Sequence, residues 1–244
     1  MPAMPSAQVI QDSLLLAKIA ADSYKDTPLN GKAYWGQDKF QNEETIKKNP
    51  GTDTQGVMGK CGKNIIVAFR GTAGFWDWVT NLEMIRTPDG GGTGKVHLGF
   101  WNRVNFAYKQ IARFIQIHRD TGDRVLLCGH SLGGALAKLT AFRLSCDDKK
   151  YHPQGVFTFG APRVGDQEFG KAYARYGLAE ITTAWYAPGD LVPRVPRYAQ
   201  EFRHVTSGHW VIEKGAVREI ALDSDREIAK FENVLNTQIV HDFK

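Results

Sequence analysis

Val125-Leu126-Leu127-Cys128, then Gly129-His130-Ser131-Leu132-Gly133-Gly134, then Ala135-Leu136-Ala137-Lys138-Leu139, is the stretch that decides the fold. The first four residues form a short apolar run and predict a buried strand. The Ala, Leu and Lys run predicts a helix. Between them the pattern GxSxG predicts a sharp strand-to-helix turn that lifts the hydroxyl of Ser131 clear of the sheet. Gly129 and Gly133 fit such a turn because a side chain at either position would strike the neighbouring strand or helix. The helix N-terminus behind Ser131 favours developing negative charge, and the Leu132 N–H is placed to act as one oxyanion donor. GxSxG alone is a modest signal, and an ordinary glycine-rich turn is the competing explanation. The strand before it and the helix after it make the pattern specific.

Outward from this turn, Ile65–Phe69, Val156–Phe159 and Ala184–Ala187 also read as strands, and Trp210 to Ala221 as a hairpin turning at Lys214-Gly215. Helical spacing covers about 8–22, 101–118, 132–146, 166–176 and 225–237. Strands alternating with helices predict an α/β fold, a mostly parallel central sheet with helices on both faces. The 244 residues contain no repeat, low-complexity tract or linker, so a single domain over 1–244 is expected. The glycine-rich run Asp89–Gly94 is short enough to be a loop.

Composition narrows the function classes. Hydrophobic residues make up 42% and charged residues 23% of the chain, as in an ordinary globule. No apolar run reaches membrane-spanning length. The first residues lack a basic start, a solid apolar block and a small-residue cleavage site, so either a cytoplasmic protein or one with its leader removed is expected. The net charge of +5 is scattered, which argues against nucleic-acid binding. Arg194, Arg197, Arg203 and His204 lie close in sequence and read as a solvated surface, with weak attraction to anionic lipid surfaces as the alternative. The 3 cysteines, Cys61, Cys128 and Cys146, show no CxxC spacing, which argues against a disulfide framework or a zinc site. Cys128 ends an apolar run and reads as a buried, inert thiol.

A serine nucleophile needs a base, and the base needs an orienting acid. In open α/β sheets functional groups gather at the carboxyl ends of the strands. Asp190 follows the strand ending near Ala187 through Pro188-Gly189 and is the best acid. Asp166 reads instead as a helix cap. After Ser131 come His152, His204, His209 and His241. His152 precedes Asp190, His204 and His209 flank a predicted strand, and His241 sits near the end of the chain. Pattern alone leaves His209 and His241 equally placed.

Five stretches together resemble the class 3, fungal-type triacylglycerol lipases. They are Phe69-Arg70-Gly71-Thr72 with Trp78 and Asn81-Leu82, Val96–Phe100, Gly129–Gly134, Phe159–Gly165, and Asp190 with Val192-Pro193-Arg194. The resemblance implies the α/β-hydrolase fold and assigns the base to His241, which lies about as far past Asp190 as Asp190 lies past Ser131; His209 falls much too close. It implies Thr72 as the second oxyanion donor, with Asn81 orienting its side chain. It leaves His97, which precedes the serine, in a structural role. The segment 73–80, with Phe75, Trp76 and Trp78, corresponds to the family's lid. Burying Phe75 and Trp76 would remove roughly 300–500 Å² from water, enough to shift an opening equilibrium at an interface.

The function implied is hydrolysis of fatty-acyl esters by Ser131, His241 and Asp190 through an acyl-enzyme, at an oil–water interface. It requires no metal or cofactor, and a monomer is expected. A phospholipase A1 or a feruloyl-type esterase is the alternative within the same chemistry. A non-catalytic lipase-like binding module would be expected to lack a triad member.

Overall fold

β4 (Asn64–Phe69) and β7 (Arg124–His130) form the centre of the molecule. Every residue of β4 is buried. The two strands run parallel, with Ile65 opposite Val125 and Phe69 opposite Gly129. A strand covered on both faces has no polar side to alternate with, which is why both read as continuous apolar runs. β8 (Gly155–Phe159), β9 (Thr182–Tyr186) and β10 (His209–Glu213) continue the parallel set. The computed structural model describes residues 4–25, 27–46, 55–71, 86–88, 94–187, 189–196, 201–206, 208–213 and 216–219.

Three strands that the apolar patterning does not predict extend the sheet on the β4 side. They are β1 (Ala33–Trp35), β2 (Asp38–Ile46) and β3 (Gly56–Cys61), all antiparallel. β11 (Ala216–Glu219) closes the other edge as the second strand of the expected hairpin. The full order is β1-β2-β3-β4-β7-β8-β9-β10-β11, so a parallel centre carries antiparallel flanks. β5 (Arg86–Pro88) and β6 (Lys95–His97) form a separate pair. The expected turn at Lys214-Gly215 and the expected helix at 225–237 lie outside the described residues.

The helices divide between the two faces. α1 (Ala7–Asp22) starts on Ser6, whose Oγ accepts from the Val9 N–H at 3.3 Å. Leu16, Ile19 and Ala20 of α1 pack on Ile66, Ala68, Leu126 and Cys128. The alternate side chains Ile65, Val67, Phe69, Val125 and Leu127 face the opposite way. There they meet α2 (Leu98–His118), α3 (Leu132–Asp147) and α4 (Gln167–Arg175). The period-2 alternation of the strands therefore builds one apolar layer on each side of the sheet. The Cys128 thiol is wholly buried, and desolvation pushes its pKa up. Among the described residues, no helix is long and apolar enough to cross a membrane.

Two local expectations have visible causes. Asp166 caps α4, its Oδ1 accepting from the Phe169 N–H at 2.9 Å. His97 caps α2 through Nδ1, which accepts from the Phe100 N–H at 3.3 Å, so the helix begins at Leu98, earlier than periodicity predicts. One expectation is corrected. His204 is not part of a solvated surface but is buried, with Nε2 at 2.8 Å from the carbonyl of Pro193.

Candidate active site

Ser131 joins β7 to α3 with φ 55° and ψ −126°. A residue with a Cβ in that region carries on the order of 1–3 kcal/mol of backbone strain. Two hydrogen bonds and the tight packing around it hold it there. The Ser131 N–H donates to the Phe159 carbonyl on β8 at 2.9 Å, and the Ser131 carbonyl accepts from Gly134 at 3.0 Å as the helix begins. A Cβ on Gly129 would lie 2.3 Å from the Gly133 carbonyl carbon, and one on Gly133 would lie 2.2 Å from the Phe69 carbonyl oxygen. Helix and strands thus approach closely enough to exclude any side chain at those two positions. The Ser131 side chain makes no capping hydrogen bond to α3, so its hydroxyl is not spent on the helix. The Leu132 N–H opens α3 without an intrahelical acceptor, at the positive end of the helix dipole.

Asp190 stands just beyond the carboxyl end of β9, after Gly189 at φ 82°. Its Oδ1 accepts from the Val192 N–H at 3.0 Å, and its own N–H donates to the Ala187 carbonyl at 3.1 Å. Desolvation raises its carboxyl above the usual range, against the lowering effects of the Val192 hydrogen bond and the His130 and Arg194 charges. Asp190 and Ser131 thus lie at the same end of the parallel sheet, after β9 and β7, with β8 between those two strands.

His130 precedes the serine. The residue is exposed overall, yet loss of water around its ring holds it below the usual histidine pKa, with the Asp190 charge acting the other way. Its Nδ1 lies 3.0 Å from the hydroxyl of Tyr24, which follows the end of α1. A cavity of about 370 Å³ opens beside it, lined by Ile10, Leu14 and Ala17 of α1, by Trp185, and by His130 and Asp190. Its wall is largely apolar, as an ester substrate with a hydrocarbon tail would require. Leu14 is 60% exposed at this site, a large apolar side chain left facing solvent.

The remaining predicted residues divide in two. Thr72, Phe75, Trp76, Trp78, Asn81 and His241 lie outside the described residues. His209 is described: it opens β10 opposite Ala184 and is buried against Tyr186 and His204, with ring centroids 5.6 and 4.7 Å away. Among the described residues, no hydrogen bond joins Asp190 to any histidine. His97 sits in the core, where burial pushes its pKa down to about 4. His152 pairs with Ser145 at 2.9 Å. Tyr24 and the α1 wall of the cavity are site residues that sequence reading passes over. No local pattern marks them, because α1 reaches the site only through the folding of the sheet. Among the described residues, no three His, Cys, Asp or Glu side chains gather as a metal site would need.

A model of the class 3 lipase family matches residues 66–199. The chain is 27% identical over 241 residues to a lipase of Rhizomucor miehei, covering 93% of this chain and 65% of that protein. It is 28% identical over 166 residues to a secreted mono- and diacylglycerol lipase A of Penicillium cyclopium, covering 66% of this chain and 52% of that protein. The chain therefore spans between half and two thirds of the length of these relatives. Among solved structures, the Rhizomucor miehei triacylglyceride lipase superposes with a TM-score of 0.77 at 22% identity, over 95% of this chain and 93% of that one. At that identity the likeness is one of fold.

Proposed function

The chain belongs to the class 3 lipase family, and from that premise we propose that it hydrolyses the carboxylic ester bonds of acylglycerols and related fatty-acyl esters. One observation carries the reading: a serine held at φ 55° at the head of α3, with only β8 between its strand and the one that leads to a desolvated carboxyl at the same end of the sheet. Strain of this kind persists only where the surroundings impose it, and it clusters at reactive sites.

In this reading one domain carries the whole reaction. His241 takes the Ser131 proton as Oγ attacks the ester carbonyl, and Asp190 orients the imidazole and steadies its positive form. The carbonyl π electrons move onto oxygen, where the N–H groups of Leu132 and Thr72 meet the charge. Each such donor is worth about 10²–10³ in rate. Collapse expels the alcohol, protonated by His241, and leaves an acyl-serine. Water, deprotonated by His241, then releases the fatty acid and restores Ser131. The segment 73–80, with Phe75, Trp76 and Trp78, acts as the lid that meets a lipid surface, and the working unit is a monomer.

The test is a series of p-nitrophenyl esters and emulsified triglycerides given to the wild type and to Ser131→Ala. The wild type should turn over both, with a rise in rate when triglyceride forms droplets. Ser131→Ala should turn over neither, and a variant keeping most of its rate overturns the assignment. Preference for phosphatidylcholine over triglyceride would move the substrate class to phospholipase A1 while leaving the mechanism in place.

A further inference from the structure

Tyr24 lies 106 residues from His130 in sequence, yet the two meet at the site, with ring centroids 6.0 Å apart and rings edge to face. Its hydroxyl reaches two segments, at the carboxyl ends of β7 and β4. One is His130 Nδ1 at 3.0 Å, at the carboxyl end of β7. The other is Gly71, just past β4, whose nearby backbone N–H acts to lower the phenol pKa against the larger raising effect of burial. The hydroxyl can donate to His130 Nδ1 or accept from it, according to the imidazole tautomer, while still accepting on the Gly71 side. Desolvation, which lowers the His130 pKa, favours the neutral ring.

The approach is too close for anything but glycine on the β4 side. A Cβ on Gly71 would lie 2.1 Å from the Tyr24 hydroxyl oxygen and 2.9 Å from the His130 carbonyl oxygen. Tyr24 itself is well anchored. Its N–H donates to the Ala21 carbonyl at 3.2 Å, and the Arg70 guanidinium stacks on its ring 5.4 Å from the centroid. Arg70 is in turn held by Gln55, through side chain at 3.0 Å and backbone at 2.9 Å. α1 is fixed to the sheet by Asp12 on Arg124 at 2.7 Å and by Trp185 Nε1 donating to Ser13 Oγ at 2.9 Å.

Gly71 is the residue before Thr72, and His130 is the residue before Ser131 and two before Leu132. We propose that Tyr24 is a positioning residue that ties the end of β4, at Gly71, to the β7 turn, and so holds the Leu132 N–H where the oxyanion of the tetrahedral intermediate forms. The inference rests on the acyl-transfer reading above. Tyr24 touches neither the substrate nor the reacting atoms in this scheme. Its hydroxyl acts through the two backbone segments it joins, and misplacement of about 1 Å in such a site is costly.

The experiment compares the wild type with Tyr24→Phe, which removes only the hydroxyl, and with Tyr24→Leu, which removes the ring that Arg70 stacks on. Active-site titration with a p-nitrophenyl alkylphosphonate first counts competent serines, so that loss of folded protein is separated from loss of rate. On a soluble short-chain p-nitrophenyl ester, Tyr24→Phe should lower kcat per titrated site about 10–100-fold, below the loss expected for a direct donor. KM should stay within about twofold. An alkylboronic acid, which forms a tetrahedral adduct on serine, should bind more weakly by the same factor as kcat falls. Tyr24→Leu should show the same kcat loss plus a lower Tm. If Tyr24→Phe keeps kcat within twofold, or loses kcat with boronate affinity unchanged, the tie has no role in the oxyanion site. If the wild type is neither active nor labelled at Ser131, the hydrolase reading itself fails and the inference falls with it.

Discussion

Three aspartates mark the two ends of the parallel strands, and they are treated in opposite ways. Asp12 and Asp123 sit at the amino end of β7. Asp12 carries a 2.7 Å ion pair with Arg124 and accepts from Trp35 Nε1 at 3.0 Å. Asp123, with no side-chain exposure, lies 2.6 Å from Lys60 and 3.6 Å from Lys63. Burial works against both charges, but the partners outweigh it and hold each carboxyl below its usual range. At Asp190, beyond the carboxyl end of β9, desolvation outweighs the Val192 hydrogen bond and the His130 and Arg194 charges, and the carboxyl is raised. One end of the sheet pairs its charges and gains stability. At the other end, among the described residues, Asp190 has no ion pair and Ser131 is held in a strained conformation, and both cost stability. Chemistry and folding are therefore separable by position along the same strands.

The largest expected effect breaks the site end alone. Ser131→Ala should lower kcat on the order of 10⁴–10⁶-fold, as loss of a serine nucleophile does elsewhere, while the protein stays folded. Ser131→Gly should be equally inactive and melt at or above the temperature of Ser131→Ala, because glycine relieves the φ 55° strain. Scanning calorimetry of the two variants measures this directly.

Asp190→Asn should cost on the order of 10⁴-fold in kcat, since a neutral amide neither orients the base nor steadies its charge. The same change should raise Tm at neutral pH, because a carboxyl with a raised folded pKa is destabilising once ionised. Asp12→Asn should do the reverse. It leaves kcat within about threefold and removes about 1 kcal/mol, a modest figure because the Arg124 side chain is 37% exposed. That corresponds to roughly 2–4 °C in Tm for a chain of this size.

The smallest effect is a matter of pH. Carboxyls held low in the fold add stability above the usual carboxylate pKa, and lose it as pH falls through their folded values. A carboxyl held high adds stability only while protonated, and loses it as pH rises through its folded value. Melting curves between about pH 3 and 6 should therefore diverge from wild type in opposite directions as pH rises, Asp12→Asn downward and Asp190→Asn upward. Curves that diverge in the same direction contradict the contrast between the two ends.

How much of this was legible in the sequence depended on how local each feature is. The Ser131 turn was legible because its strand, its glycines and its helix are contiguous, and the close approach of Gly129 and Gly133 is what their pattern implies. Asp190 was legible because it directly follows an apolar strand. β2 was not: its sequence is mostly charged and polar, and its register slips between Gln41 and Glu44, which destroys a simple alternation. The choice between His209 and His241 was also beyond patterning, since both lie near predicted elements. His209 proves to be packed in the sheet against Tyr186 and His204. Tyr24–His130 and Asp12–Arg124 span 106 and 112 residues, so no window of sequence contains either pair. They arise from where α1 lies on the sheet.

The central claim is that Ser131 is the nucleophile of an acyl-transfer reaction. Its most direct test is the intact mass of the protein after treatment with a p-nitrophenyl alkylphosphonate, followed by peptide mapping and residual esterase assay. The account predicts one phosphonyl group per chain, on Ser131, with ester hydrolysis falling in step with labelling and no adduct on Ser131→Ala. Undiminished hydrolysis after complete labelling, or a label that maps to a different residue, would contradict it.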